Sequence, residues 1–169
     1  MDFLDWFGSQ PHRHKLFIAG NHDFFFERTK EAEIRKLIPS TVHYLKDEAV
    51  LIEGKKFWGS PYTPLFYQWA FNKRRGEPLK MQWDKIPLDT DVLLTHGPAF
   101  GILDMNSNEQ NAGDKDLLKR ILTVKPKAHI CGHIHEAYGS TKRDGIKFVN
   151  ACMLNEAYEL ANKPIVLEI

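Results

Sequence analysis

The sequence contains few of the features that mark disulfide-rich, membrane-spanning or nucleic-acid-binding proteins. Only two cysteines occur in 169 residues, Cys131 and Cys152, and their spacing forms no disulfide or thiolate metal framework. No apolar run approaches the length of a membrane span. The 23 lysines and arginines nearly balance the 22 aspartates and glutamates, so no basic surplus favours a polymeric nucleic acid as partner. These absences predict a cytoplasmic protein without a membrane segment.

The N-terminus and the overall composition bound the domain organisation. Residues 1–12, MDFLDWFGSQPH, place two aspartates among apolar residues and have no basic lead, which argues against a secretory signal peptide. The composition is 43% hydrophobic and 12% aromatic, as is typical of a globular chain. A chain of this length forms one core, so we predict one domain over residues 1–169.

Short strand and helix patterns alternate along the chain. Apolar runs bounded by turn residues predict buried strands, and amphipathic stretches that end before proline predict helices. The predicted strands are 15–19, 42–45, 49–53, 56–60, 91–95, 127–131, 146–150 and 164–169, and the predicted helices are 1–7, 29–38 and 114–124. This alternation predicts a layered α/β domain.

Polar residues follow three of the predicted strands directly. GNHD (20–23) follows KLFIA, HGP (96–98) follows DVLLT, and GHIHEAYG (132–139) follows KAHIC. In open α/β architectures the loops at the carboxyl ends of the strands converge. Each motif alone is also explained by a tight turn. The three together predict a shared site, because side chains distant in sequence then meet in space.

The side chains in these loops are those that transition metals prefer. Imidazole nitrogens and an amide oxygen suit zinc, manganese or iron, and the absence of nearby cysteine argues against a structural thiolate site. The candidate ligands are Asn21, His96, His133 and His135. We therefore predict a metal site at this edge of the sheet.

The three motifs, in this order, resemble the later signatures of the calcineurin-like metallophosphoesterases. GSPYTPLFYQWAFN (59–72) and GHIHEAYG are further similar to the branch of metallophosphoesterase-domain-containing proteins, which includes cyclic-nucleotide phosphodiesterases. The resemblance extends from about Phe17 to Ile169. It implies a four-layer αββα sandwich, in which two β-sheets pack together with helices outside.

The resemblance also implies a reaction and a role for each residue. The reaction is hydrolysis of a phosphate ester, in a small phosphodiester or a nucleotide, by in-line attack of a metal-bound hydroxide. The implied ligands of one divalent ion are Asn21, His96 and His133, and that of a second ion is His135. His22 would protonate the leaving group and Asp23 would orient His22. A helix cap or a solvated carboxylate is the alternative for Asp23.

Two other motifs of the family pattern are missing from these residues. No Asp-x-His occurs, and Gly-Asp occurs only at Gly113-Asp114, where it predicts the N-cap of a helix. We therefore expect an N-terminally incomplete domain that holds at most one ion well and that catalyses slowly by itself. The edge of the strand at 15–19 would then lie open, and a symmetric homodimer is one way to cover it.

Three functions stay open at this point. The first is an active phosphodiesterase. The second is a catalytically impaired homologue that binds a metal or nucleotide and acts through a partner. The third is a scaffold without a ligand. The aromatic stretch 57–71 is interpreted as core with a covering loop, or else as a wall for a nucleobase. His129, inside a predicted strand, is interpreted as a hydrogen-bonded core histidine.

Overall fold

The computed structural model describes residues 3–169. In this range five α-helices form: α1 (Phe3–Ser9), α2 (Phe24–Arg28), α3 (Glu31–Leu37), α4 (Glu77–Trp83) and α5 (Lys115–Val124). The strands are β1 (Lys15–Phe17), β2 (Val42–Tyr44), β3 (Glu48–Ile52), β4 (Lys55–Ser60), β5 (Thr63–Pro64), β6 (Asn72–Lys73), β7 (Val92–Thr95), β8 (Ala128–Cys131), β9 (Gly139–Arg143) and β10 (Ile146–Asn150). A single 3₁₀ turn, His135–Ala137, follows β8.

The strands form a large mixed sheet and two small ones. The large sheet has six strands in the order β3-β4-β7-β8-β10-β9, and its four central strands run parallel. The strand β1 pairs in parallel with β2 in a separate two-stranded sheet, and β5 pairs with β6. Because β4, β7 and β8 are parallel, their carboxyl ends lie at one edge, where the polar motifs were expected.

Two apolar clusters connect the sheets to the helices. The larger one joins the six-stranded sheet to α4 and α5 through Trp58, Leu79, Trp83, Ile86, Leu93, Ala99, Ile102, Leu117, Ile121, Val124, Ile146 and Phe148. The smaller one joins β1 and β2 to the first three helices through Leu4, Ala19, Phe26, Ile34, Tyr44, Ala70 and Phe71. The two sheets meet at Gly59, where a Cβ atom would lie 2.6 Å from the Cβ of Leu45. The predicted α/β class, with helices flanking a central sheet, is confirmed.

Some predicted elements differ from the observed ones. The helix expected over 29–38 forms as α3, which begins two residues later, because the backbone at Thr29 and Lys30 is extended, and a further short helix, α2, precedes it and was not predicted. The strand expected over 164–169 does not form, and that prediction is wrong. The segment receives a hydrogen bond from a side chain, that of Lys147, which donates to the carbonyl of Glu168. Val166 is 90% exposed, as is expected of a segment that lies on the surface without a paired strand. An apolar run becomes a strand only where a sheet edge pairs with it.

The predicted helix cap at Asp114 is confirmed. Its carboxylate accepts hydrogen bonds from the backbone N–H groups of Asp116 and Leu117, at 3.1 and 2.9 Å, as an N-cap residue does. The indole N–H of Trp83 donates to the same oxygen at 2.8 Å. Asp114 therefore fixes the start of α5 against α4, which explains the Gly-Asp pair as a structural feature.

The remaining features concern strand edges and membranes. Within residues 3–169, β1 has β2 as its only paired neighbour, so its other edge is open as expected. No helix in the described range has the length and apolar character needed to cross a membrane.

Candidate metal and catalytic site

A cleft of about 860 Å³ opens at the carboxyl ends of the strands. The loops after β1, β4, β7 and β8 all contribute to its walls. The residues of the sequence prediction that line it are Asn21, His22, His96, His133 and His135. The structure therefore brings together five of the six predicted site residues, and Asp23 lies behind them in the loop.

Three of the predicted ligands form the floor of the cleft. The carbonyl oxygen of the Asn21 side chain lies 2.6 Å from Nε2 of His96, and the rings of His96 and His133 are 4.7 Å apart between centroids. Asn21 is buried, and its amide nitrogen has no hydrogen-bond partner among the described residues. A buried amide N–H without a hydrogen-bond acceptor costs free energy, so this group is available to bind an acceptor in the cleft.

The ring of His96 packs against the backbone of Gly20 in space that a side chain would fill. A Cβ atom at Gly20 would lie 2.7 Å from Cε1 of His96 and 3.0 Å from its Nδ1. The imidazole therefore lies directly over the backbone of Gly20, and any larger residue there would push it away. This contact accounts for the glycine at the start of GNHD.

The backbone at His133 is strained. Its φ angle is +72°, a value that residues with a Cβ seldom adopt. The N–H of Ile134 donates to the carbonyl of Gly132 at 2.8 Å, which closes a three-residue turn around His133. Asn150, fully buried, donates to the carbonyl of Ile134 at 2.8 Å and holds this turn. The strain directs the His133 side chain into the cleft beside His96.

Burial keeps the two central imidazoles neutral. It lowers the pKa of His96 well below the usual value for histidine, and the neighbouring imidazoles lower it further. Burial, followed by the charge of His135, lowers the pKa of His133 to about 4. A neutral imidazole keeps a lone pair for a metal ion at physiological pH.

His135 stands at the side of the cleft. Its Nδ1 lies 2.8 Å from the carbonyl oxygen of Asn155, and its ring packs edge-on against Tyr158 at 5.2 Å. Because a carbonyl only accepts, Nδ1 donates a proton to it, and Nε2 is the ring atom that stays available to an ion. A partner of this kind commonly orients a metal-binding histidine.

His22 is exposed in the cleft and lies on an aromatic surface. Its ring centroid is 4.8 Å from that of Trp69 and 6.3 Å from that of Tyr158. Asp23 does not contact it in the described structure. Its carboxylate instead accepts the N–H of Gly20 at 2.6 Å, and it makes no side-chain cap for α2. The expected orientation of His22 by direct contact with Asp23 is thus not observed, and the catalytic role of each residue stays a prediction.

The donor atoms fit one transition-metal ion. One amide oxygen and two neutral imidazoles are suitable ligands. The Asn21 oxygen and His96 Nε2, 2.6 Å apart, are hydrogen-bonded to each other and would have to separate slightly to bind one ion together. The set is poor in charge, however. Within residues 3–169, no three histidine, cysteine, aspartate or glutamate side chains are grouped so that they could hold a metal. The cysteines add nothing, since burial raises the pKa of both thiols, that of Cys152 to about 11.

Several residues of the site were not identified from the sequence. Trp69 and Tyr158 pack on the histidines, and Asn150 and Asn155 hold the loop after β8 through backbone carbonyls. The aromatic stretch 57–71 carried a signal for the first of these. It is buried at Trp58 and Phe71, whereas Leu65 and Phe66 in its middle are exposed and line the cleft. The interpretation as core therefore holds for the two ends, and a wall for a nucleobase stays a prediction for the middle.

The sequence that carries these loops matches a known protein family. The model of the calcineurin-like phosphoesterase family matches residues 1–137. The chain belongs to this family. Its members generally use divalent metal ions, which agrees with the donor atoms in the cleft.

Individual relatives agree with this assignment. Human metallophosphoesterase domain-containing protein 1 is 35% identical over 190 aligned positions, which cover 99% of this chain and 58% of the human protein. The Caenorhabditis elegans protein named UPF0046 protein T07D4.2 is 35% identical, over 99% of this chain and 50% of its own length. The chain thus spans between 50% and 58% of the length of these two relatives.

A solved crystal structure shares the fold. It superposes with a TM-score of 0.64 over 88% of this chain and 61% of its own, at 16% sequence identity. At this identity the likeness concerns the fold alone, which is consistent with the metallophosphoesterase sandwich.

Proposed function

We propose that this chain acts in the metal-dependent hydrolysis of a small phosphodiester. The observation that carries the proposal is the convergence of Asn21, His96 and His133 on one cleft, with both imidazoles neutral through burial. Membership of the calcineurin-like phosphoesterases supports the reaction class. The finer statement, cleavage of a diester, is supported by the surroundings of His22.

The chain's own groups have separate tasks in this proposal. Asn21, His96 and His133 would hold one divalent ion, manganese, zinc or iron, and His135 would be ready to hold a second. Such ions supply positive charge to the phosphoryl oxygens and lower the pKa of a bound water. The protein fixes its donors beforehand through Gly20 below His96 and Asn150 behind His133. This preorganisation reduces the cost of ordering the ligands on binding.

His22 is placed to serve the leaving group. It is exposed in the cleft and is held by the face of Trp69, without being buried among the ligand histidines. Imidazole is the side chain best suited to donate a proton near neutral pH. We propose that it protonates the departing alkoxide. Asp23 then acts at one remove, because its bond to the N–H of Gly20 shapes the loop that carries both Asn21 and His22.

An aromatic wall beside His22 indicates the kind of leaving group. The ring of Phe66 lies 4.4 Å from that of Tyr67 and 5.4 Å from that of Trp69, and the Tyr67 side chain is 72% exposed. Exposed aromatic faces next to a catalytic group stack on planar rings. A nucleotide or another diester with an aromatic group is therefore the proposed substrate class.

A binding function is the second candidate. It is favoured by the absence, in the described structure, of any group of three histidine, cysteine, aspartate or glutamate side chains that could hold a metal ion. In that case the cleft would take up one ion or nucleotide without turnover, and the chain would act through a partner.

Hydrolysis of bis(p-nitrophenyl) phosphate, with Mn²⁺, Zn²⁺ or Fe²⁺ added to metal-free protein, tests the proposal. We expect slow turnover that depends on the ion and that disappears in His96→Ala. His12→Ala is the control, since His12 is exposed and does not line the cleft. Ion binding without turnover would favour the second candidate. Turnover that persists in His96→Ala would contradict the proposed site.

A further inference from the structure

Behind the cleft, the last residue of β7 contacts a buried histidine of β8. The hydroxyl oxygen of Thr95 lies 2.8 Å from Nε2 of His129 and 2.7 Å from the carbonyl oxygen of Gly97. Both side chains are 1% exposed, and the His129 ring packs edge-on against Phe148 at 5.8 Å. This pair lines no part of the cleft. Thr95 and Gly97, however, flank His96 in the chain, and the Thr95 hydroxyl joins them.

The directions of these hydrogen bonds follow from the partners. A carbonyl oxygen only accepts, so the Thr95 hydroxyl donates its single proton to the carbonyl of Gly97. The hydroxyl oxygen must then accept from Nε2–H of His129. Burial, which lowers the pKa of His129 to about 3, keeps this imidazole neutral with one proton. The result is a fixed chain of donors from His129 through Thr95 to the Gly97 carbonyl.

The peptide at Gly97 is constrained from a second side. A Cβ atom at Gly97 would lie 2.7 Å from Oγ1 of Thr63, so the loop is packed tightly there. The backbone of His96 is also held, because its N–H donates to Ser60 and its carbonyl accepts from Gly132. The Gly97 carbonyl accepts the Thr95 hydroxyl and accepts no backbone N–H among the described residues, so this side-chain hydrogen bond holds it.

We propose that Thr95 and His129 are positioning residues, which fix the peptide after His96 and thereby aim its imidazole at Asn21. The consequence for metal affinity rests on the proposed function, whereas the aim of the ring does not. A group hydrogen-bonded to a metal-binding imidazole typically changes metal affinity about 10- to 100-fold when it is removed, and for Thr95, which acts through the backbone, we expect the lower end of this range.

The matched variants are Thr95→Val, which keeps the shape but removes the hydroxyl, and Thr95→Ser, which restores it. Thr90→Val is the control. Thr90 is also a buried threonine, but it precedes β7, at the opposite end of the strand from Thr95, and its hydroxyl donates to the carbonyl of Pro87. In metal-free protein, NMR signals of the His96 ring should shift in Thr95→Val and stay at their wild-type positions in the other two. If Thr95→Val does not fold, His129→Phe serves, since it removes the N–H donor.

Titration calorimetry with Mn²⁺ or Zn²⁺ gives the second measurement. We expect Thr95→Val to weaken binding by about 10-fold or more, and Thr95→Ser and Thr90→Val to leave it near the wild-type value. Unmoved His96 signals in Thr95→Val, or equal effects of Thr90→Val, would overturn the positioning role. If wild type binds no ion at all, the proposed metal site fails, and the NMR comparison still decides whether Thr95 and His129 position His96.

Discussion

The side-chain oxygen of Asn21 and Nε2 of His96 lie 2.6 Å apart, although 75 positions separate the two residues in the sequence. Because an amide oxygen only accepts, Nε2 of His96 carries the proton in this state. An ion bound through Nε2 requires that proton to move to Nδ1. The contact therefore connects the loops after β1 and β7. It is a hydrogen bond between two of the atoms that are proposed to bind the ion.

The first prediction concerns the number of ions bound. Asn21, His96 and His133 lie together on the floor of the cleft, whereas His135 stands at its side and is held by Asn155. We expect titration of metal-free protein with Mn²⁺ or Zn²⁺ to show at most about one ion held with useful affinity per chain. Two tightly bound ions would mean that ligands outside the described grouping complete a second site.

The second prediction uses Gly20. An alanine there places its Cβ 2.7 Å from Cε1 of His96, so Gly20→Ala should displace the ring and weaken binding of Mn²⁺ on the order of 10-fold or more. Gly132→Ala is the matched control, because its Cβ would meet only Cys152 Sγ, at an ordinary 3.5 Å. Calorimetry on both variants provides the comparison. Equal affinities in the two would show that the ring adapts without cost.

Much of the candidate site was predictable because it follows from strand ends. GNHD, HGP and GHIH each come after an apolar run, and parallel strands place such loops at one edge. The contacts of individual side chains were not predictable. Asp23 turns back to Gly20 because that N–H is the nearest donor in the folded loop, and the positive φ of His133 depends on Asn150. Both depend on tertiary contacts that spacing does not encode.

The fold shows the same division. Runs that lie between two neighbours in the six-stranded sheet, such as β7 and β8, were predicted within a residue or so. The run 164–169 has similar composition but lies on the surface without a paired strand. Helix α4 was missed, since its seven residues begin with Glu77-Pro78 and its apolar face is set by Leu79 and Trp83 alone. Short elements depend on packing more than on pattern.

The third prediction concerns acid stability. Burial lowers the pKa of His129 to about 3, whereas the unfolded chain binds this proton near pH 6.5. Between these values the unfolded state holds more protons, so stability falls as pH falls. From pH 6.5 to pH 5 this histidine should cost roughly 2 kcal/mol of unfolding free energy, at about 1.4 kcal/mol per pH unit.

Denaturant titrations at pH 5, 6 and 7.5 check this expectation. His129→Gln should reduce the loss of stability on acidification, although it lowers stability at pH 7.5 by removing the bond to Thr95. Part of the acid sensitivity should remain, because His96 and His133 are also buried in neutral form. His12→Gln, at an exposed position, should behave like wild type. An unchanged pH dependence in His129→Gln would contradict the assignment.

The last prediction separates His22 from the ligand histidines. His22 lies on Trp69 and, in the described structure, its ring makes no hydrogen bond to the side chains of Asn21 or His96, so His22→Ala should leave metal content nearly unchanged. It should slow hydrolysis of an alkyl phosphodiester by about 10²–10⁴, the usual contribution of general acid catalysis. The loss should be much smaller for a nitrophenyl diester, because nitrophenolate departs without a proton.

His96→Ala should behave differently, losing the ion and the activity together for both leaving groups, since it removes a donor from the floor of the cleft. Rates with an alkyl and a nitrophenyl diester, together with metal analysis of each variant, give the decisive comparison. If His22→Ala strips the metal, His22 is a ligand. If it slows both substrates equally, His22 binds the phosphate or shapes the cleft through Trp69, and proton donation must come from another group.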